Sequence, residues 1–114
     1  MNSETVRECA LALPHVTEDF PFDEHTLVFR IGGKIFAIMP LEKSGFINLK
    51  NEPERSVELR DQYTAITPGY HMNKKWWNTV DFTEVPASLT QSLINESYQL
   101  VKAGLPKKLR DTLG

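Results

Sequence analysis

The sequence predicts an α+β fold, an antiparallel β-sheet with helices packed on one face. Three observations carry that expectation. Helix-period apolar stripes lie near both ends of the chain, at residues 3–13 and 87–103. Between them run short β-rich segments, two of which flank Gly32-Gly33 as a tight hairpin. The connections are brief, with no linker, repeat or low-complexity stretch. At 114 residues, 40% hydrophobic and 25% charged, the composition is that of one globular domain spanning 1–114.

The first helix is expected over residues 3–13. Val6, Cys9, Ala10 and Leu13 share a face, Asn2 or Ser3 can cap it, and Pro14 ends it. Cys9 lies on the apolar stripe with no basic neighbour to activate it, so it reads as a buried structural thiol. Residues 15–25 mix acids, histidines and aromatics. His15, Asp19, Asp23 and His25 match no metal-ligand spacing, and the simpler expectation is a short edge strand burying Phe20 and Phe22. Residues 26–31 and 34–39 form the hairpin, with Leu27, Phe29 and Ile31 on one face by period-two alternation.

A third strand is expected at 45–50, with Phe46, Asn48 and Lys50 opposite Ile47 and Leu49. Pro53 suits a first helical position, so residues 53–62 predict a short helix. Val57, Leu59 and Tyr63 would anchor it, and Glu54, Arg55, Glu58, Arg60 and Asp61 would form a solvated face. Residues 64–67 predict a brief strand and 76–82 another. In the second, Trp76, Asn78, Val80 and Phe82 alternate with Trp77, Thr79 and Asp81, which sends one tryptophan to the core and the other to the opposite face. The longest helix follows at 87–103, with a capping box at Ser88-Leu89-Thr90-Gln91 and an apolar face through Leu93, Ile94, Ser97 and Val101. Gly104 ends it. A last short helix starts at Leu105-Pro106, with Lys107, Lys108 and Arg110 outward and Leu109 and Leu113 inward.

The net charge of −2 argues against a protein coated in positive charge, but the charge is unevenly spread. Residues 1–24 set Glu4, Glu8, Glu18, Asp19, Asp23 and Glu24 against Arg7, a balance of −5. Residues 102–114 set Lys102, Lys107, Lys108 and Arg110 against Asp111, a balance of +3. An acidic end and a basic end are therefore expected. A single cysteine excludes an intrachain disulfide. No leader-like segment opens the chain and no apolar run nears the roughly 18 residues of a membrane span, so a cytoplasmic protein without a membrane partner is expected.

The stretch from Pro68 to Val80 concentrates the chemistry. It holds both tryptophans, two adjacent lysines, two asparagines, a tyrosine and a histidine. Lys74 and Lys75 can contact phosphates as point charges. Asn73 and Asn78 can read base edges, or bond local backbone as asparagines beside Pro-Gly turns do. Tyr70, Trp76 or Trp77 can stack on unpaired bases, and Lys107 and Lys108 can extend the basic surface. His71, beside Tyr70 and Lys74, can act as a general base, but a lone loop histidine is more often a surface group. No nucleophile–base arrangement or metal motif is present, so a non-enzymatic protein without cofactor is expected.

Three stretches together resemble one family: Leu13–Phe22 running on to Gly33–Ala37, Pro68–Val80, and Ser97–Val101 with Leu105–Lys108. The chain is similar to the MmcQ/YjbR family of small bacterial proteins over nearly its whole length, and the Pro-Gly-Tyr…Asn-Lys…Trp block is the most specific part. The resemblance implies a fold like CyaY and the frataxins, and a DNA-binding role through a double-wing surface. The chain departs from a frequent family pattern at Trp76, where histidine is common, so no role of that imidazole carries over. The expectation is DNA binding through Tyr70, His71, Asn73, Lys74, Lys75, Trp76, Trp77, Asn78, Lys107 and Lys108. The alternative is a protein-interaction module with an exposed tryptophan. Metal handling by analogy with frataxin ranks below both, since it rests on fold alone.

Overall fold

From the N-terminus, α1 (Ser3–Leu11) begins where the Asn2 side chain accepts the Thr5 N–H at 2.8 Å and the Thr5 hydroxyl accepts the Asn2 N–H at 3.3 Å. That reciprocal cap satisfies two of the helix's orphan donors. An edge strand β1 (Thr17–Asp19) follows, then the hairpin of β2 (Thr26–Ile31) and β3 (Lys34–Pro40). The chain continues through β4 (Phe46–Lys50), α2 (Pro53–Gln62), β5 (Ile66–Pro68), β6 (Trp77–Asp81), α3 (Ala87–Ala103) and α4 (Lys107–Thr112). The computed structural model describes residues 1–69 and 72–113. Six strands form one antiparallel sheet in the order β1-β2-β3-β4-β6-β5. This is the α+β architecture the sequence predicts, and no helix among the described residues is long and apolar enough to cross a membrane.

The helices cover one face. Leu27, Phe29, Ile31, Phe36, Ile47, Leu49 and Val80 point from the sheet into a core completed by Val6 and Ala10 of α1, Leu59 of α2, and Leu93, Ile94 and Tyr98 of α3. Each such side chain contributes about 1.5–3 kcal/mol when taken out of water. Tyr98 meets Phe36 edge-on at 5.5 Å, and its hydroxyl donates to the Pro14 carbonyl at 2.7 Å. Burial raises the Tyr98 phenol above the usual tyrosine range.

A β-bulge between β2 and β3 shapes the centre. Phe29 faces Ala37 while Arg30 faces Ile35, so Phe36 is the extra residue and turns inward beside Ala37. The β3–β4 ladder then pairs only Ala37 with Leu49 and Ile38 with Asn48. At its open end, Ser97 of α3 fills the gap. Its hydroxyl donates to the Phe36 carbonyl at 2.5 Å and accepts the Lys50 N–H at 2.8 Å. At the hairpin tip, Gly32 takes φ +58, and a Cβ there would stand 2.6 Å from Leu105. Glycine at this turn thus lets the start of α4 close against the sheet.

Several local expectations need correction. Phe20 and Phe22 are 47% and 67% exposed, because β1 ends at Asp19 and the segment after it leaves the sheet. Val57 is 48% exposed and Ser56 takes the inward position of α2. Arg55 and Arg60 are not a solvated face: Arg55 pairs with Glu96 of α3 at 3.2 Å, and Arg60 reaches Asn78. The start of α3 carries no side-chain cap; its N-cap position is Pro86. Leu109 is partly exposed, although it packs toward Gly32.

Candidate functional site

Strand register decides which loops share an end. Ala37, Leu49, Asn78 and Pro68 lie level across β3, β4, β6 and β5. The Gly32-Gly33 turn and the loop after Pro68 therefore leave the same end of the sheet. The C-terminus of α3 reaches that end too, since Leu105 packs on Gly32. This end gathers Lys34, Lys50, Lys74, Lys75, Lys107 and Lys108, with Glu52, Glu54 and Asp111 as acids among them. The opposite end carries Asp23, Glu24, Glu42, Asp61, Asp81 and Glu84, with Lys43 as the base. The molecule is thus polarised along its strands, but with most of the charges drawn from the middle of the chain rather than from the acidic 1–24 and basic 102–114 stretches alone.

Lys74, Lys75, Lys107 and Lys108 are all exposed. They form two groups: Lys107 and Lys108 stand behind the β2–β3 hairpin, and Lys74 and Lys75 lie in the connection to β6. The intervening strands separate the groups by on the order of 10–15 Å at the usual strand spacing. Lys34 and Lys50 fall between them. Neither was singled out by sequence, although the alternation of Phe46, Asn48 and Lys50 already placed Lys50 off the core face.

The tryptophans differ from expectation. Neither belongs to the core, and both are half-buried. β6 begins at Trp77, so Trp76 lies in the turn before the strand rather than on the core-facing row. Lys50 Nζ sits 5.3 Å from the Trp76 ring centroid, a cation–π contact. Trp77 alternates with Asn78 and so shares the helix-free face with Thr79.

Asn78 is also corrected. It is wholly buried on the core side. Its amide donates to the Ser56 carbonyl at 3.2 Å, and its oxygen accepts from Arg60 at 2.8 Å. The same Arg60 nitrogen reaches the Lys74 carbonyl at 3.4 Å. Asn78 is therefore a structural clamp and has no free edge to offer a base. Asn73 is exposed, with its side-chain oxygen accepting the Lys75 N–H at 3.0 Å. That Asx turn orders the lysine loop and leaves the Asn73 amide outward. Tyr70 and His71 lie outside the described residues.

The helix-free face holds a groove of about 610 Å³. Its apolar walls include Phe22, Ile38, Pro40, Phe46 and Met72. Its floor is polar: the Thr79 hydroxyl donates to Asn48 Oδ1 at 2.5 Å. The volume lies within the range of small-ligand sites.

The acids near the N-terminus do not converge on a metal. Glu18 pairs with Arg7, and Asp19 pairs with Arg30 at 2.9 Å. Among the described residues, no group of three or more His, Cys, Asp or Glu side chains is arranged to hold an ion. Asp23 accepts the His25 N–H at 2.8 Å, the Thr26 N–H at 2.7 Å and the Thr26 hydroxyl at 3.1 Å. The His25 N–H holds the Asp23 carboxyl below the usual aspartate value; desolvation opposes it, and the Thr26 hydroxyl and N–H add to the lowering. Because the folded-state value is depressed, the stability this carboxylate contributes is complete above the ordinary aspartate range. It declines as pH falls through that range to the folded value. An NMR titration should give Asp23 a midpoint below that of an unstructured aspartate, and Thr26→Val should raise it.

Relatives agree with this architecture over most of the chain. It is 45% identical to the uncharacterised Escherichia coli protein YbdF, over 92% of this chain and 88% of that protein. It is 29% identical to the uncharacterised Escherichia coli protein YjbR, over 97% and 95% of the two chains. Among solved structures, the crystal structure of the Deinococcus radiodurans protein DR2400 superposes with a TM-score of 0.89 at 41% identity, covering 97% of this chain and 86% of that one. A crystal structure of a Pseudomonas syringae protein superposes with a TM-score of 0.74 at 30% identity, covering 88% and 98%. The model of the YjbR family matches residues 11–100, from the end of α1 to the last turn of α3, and the chain belongs to that family.

Proposed function

We propose that the chain is a non-enzymatic DNA-binding protein that works through the basic end of its sheet. The observation that supports this reading is the convergence of lysines from β3, β4, the loop before β6 and α4 at one end of a molecule whose total charge is negative. A uniformly basic protein would bind polyanions everywhere. A polarised one presents a single favourable side and turns its acidic end away, which orients the encounter. Lys74 and Lys75 are held on an Asx turn and braced by Arg60, so little ordering is lost when they meet phosphates. Binding of modest affinity and strong salt dependence is expected.

The test is fluorescence anisotropy with labelled DNA, duplex and single-stranded, at low and near-physiological salt. Lys74→Ala/Lys75→Ala should weaken binding about tenfold at low salt and reduce the log–log salt slope by about 2. No detectable binding at low salt, or an unchanged double variant, would sink the reading. A second reading is favoured by the two half-buried tryptophans outside the core: a protein partner docking on Trp76 or Trp77. Capture of a partner that ignores salt but is lost on Trp77→Ala would support it instead.

A further inference from the structure

The groove on the helix-free face lies toward the acidic end of the sheet, and the basic end makes no use of it. Phe22 reaches it from the segment after β1, Ile38 and Pro40 from β3, Phe46 from β4 and Met72 from the connection to β6. Phe22 remains 67% exposed there. Apolar side chains gathered from separate segments onto a solvent-facing surface mark a binding face more often than a plain exterior.

Charge selects the occupant. Glu42 and Lys43 line the groove and offset one another. Asp23 and Glu24 follow Phe22 directly in the chain. Asp81 stands opposite Phe46 in the β4–β6 register, and its alternation with Thr79 puts it on the same face. Four carboxylates thus border the groove against one ammonium, with His25 at 3.5 Å from Glu42. Asp81 is half-buried, and both bonds it accepts, from the Thr83 N–H at 3.0 Å and the Thr83 hydroxyl at 2.6 Å, go to Oδ1. Its Oδ2 lone pairs are therefore uncommitted among the described residues.

The geometry points to a binding site for a small organic cation with a bulky apolar body. The apolar part rests on Ile38, Pro40 and Met72, whose thioether adapts to irregular shapes. The rings of Phe22 and Phe46 add the attraction of an aromatic face for positive charge, and the bordering carboxylates reinforce it. The floor is already satisfied, since the Thr79 hydroxyl donates to Asn48 Oδ1, so covering it costs little desolvation. A volume of about 610 Å³ holds one molecule of a few rings. A folded protein partner would need roughly 800 Å² from each side, drawing in surface well outside the groove. Anions are repelled at this end, so the site is independent of the nucleic-acid reading.

Tetraphenylphosphonium and tetraphenylborate share a shape and differ in the sign of their charge. Titrating each into the isotope-labelled chain, without nucleic acid, and following amide NMR shifts isolates the charge preference. The cation should saturate with shifts centred on Ile38, Phe46, Asn48 and Thr79, and should bind about tenfold or more tightly than the anion. Glu42→Gln should weaken cation binding about threefold and Lys43→Ala should tighten it by a similar factor, which a merely structural role for these exposed residues would not produce. Phe22→Ala should cost about fivefold, with a thermal melt verifying the fold. Equal or tighter binding of tetraphenylborate, shifts centred elsewhere, or no saturation by about 5 mM cation overturns the proposal. Dimerisation in sedimentation that Phe22→Ala abolishes would give the groove to a second copy of the chain. Displacement of tetraphenylphosphonium by a lysine–leucine peptide that binds more tightly would give it to a protein segment. Either result overturns the small-cation site.

Discussion

Ser97→Ala should lower folding stability by about 4 kcal/mol, although it removes one oxygen atom. The hydroxyl is wholly buried and serves two backbone groups at once, the Phe36 carbonyl and the Lys50 N–H. Both belong to strands that no longer pair at that level, because the bulge at Phe36 ends the β3–β4 ladder early. Each group left buried without a partner costs about 1–3 kcal/mol. Against a total stability of about 5–15 kcal/mol for a domain of this kind, the loss is large. It corresponds to a fall in Tm of about 15–20 °C. Urea denaturation at unchanged m-value checks the magnitude, and hydrogen exchange at the Lys50 amide checks the cause. A variant within 1 kcal/mol of wild type, or a Lys50 amide as protected as before, would show that the sheet closes without the helix. Ser97→Thr retains the hydroxyl and should recover part of the loss. The prediction reaches function as well, since Lys50 is the residue whose side chain meets Trp76.

Ser97 also shows where sequence reading stops. Its place on the apolar face of α3 is legible from helical periodicity, and so is its burial. Its partners stand 61 and 47 residues away, and nothing local announces them. The hairpin is the reverse case: two glycines between β-rich runs specify their turn within a few residues, and β2 and β3 form there. In β6 the alternation of Asn78, Val80 and Phe82 against Trp77, Thr79 and Asp81 holds. It begins at Trp77 and does not reach back to Trp76. Boundaries are set by where the partner strand ends, and Lys50 is the last residue of β4 to pair. Phe20 and Phe22 are exposed for a related reason. Hydrophobicity alone placed them inside, but the edge strand that would have turned them inward is only three residues long.

The charge polarity was half legible. Composition placed acids early and bases late, yet the basic end draws on β3, β4 and the loop before β6 as much as on the C-terminus. Those contributions come together only through the register of an antiparallel sheet, in which alternate connections return to the same side. The groove on the helix-free face was not legible at all. Phe46, Ile38 and Met72 come from three separate segments and share it only once β3, β4 and β6 are adjacent.

Asn78→Leu should cost about 3 kcal/mol and loosen the lysine loop without removing any charge. Leucine fills a similar volume, so the effect isolates the lost polar contacts. Two bonds disappear: the donation to the Ser56 carbonyl and the acceptance from the Arg60 guanidinium. A hydrogen bond to a charged group is worth about 1.5–3 kcal/mol, and the neutral one adds about 1. The Ser56 carbonyl is buried and loses a donor, whereas Arg60 is half-buried and can turn toward water, which limits the total. When it turns, its contact with the Lys74 carbonyl goes too. Lys74 and Lys75 then keep their charges but lose part of their bracing, so DNA affinity should fall several-fold through added ordering cost while the salt slope stays that of wild type. A double-mutant cycle of Asn78→Leu with Arg60→Ala should show a coupling of about 1–2 kcal/mol in urea melts. Additive losses would mean that asparagine and arginine stabilise the domain independently. A salt slope reduced as in Lys74→Ala/Lys75→Ala would mean that the loop had moved its lysines away from the phosphates altogether. The clamp reading requires coupling in the melt together with an unaltered slope, because only then does a buried amide act on the basic end through geometry rather than charge.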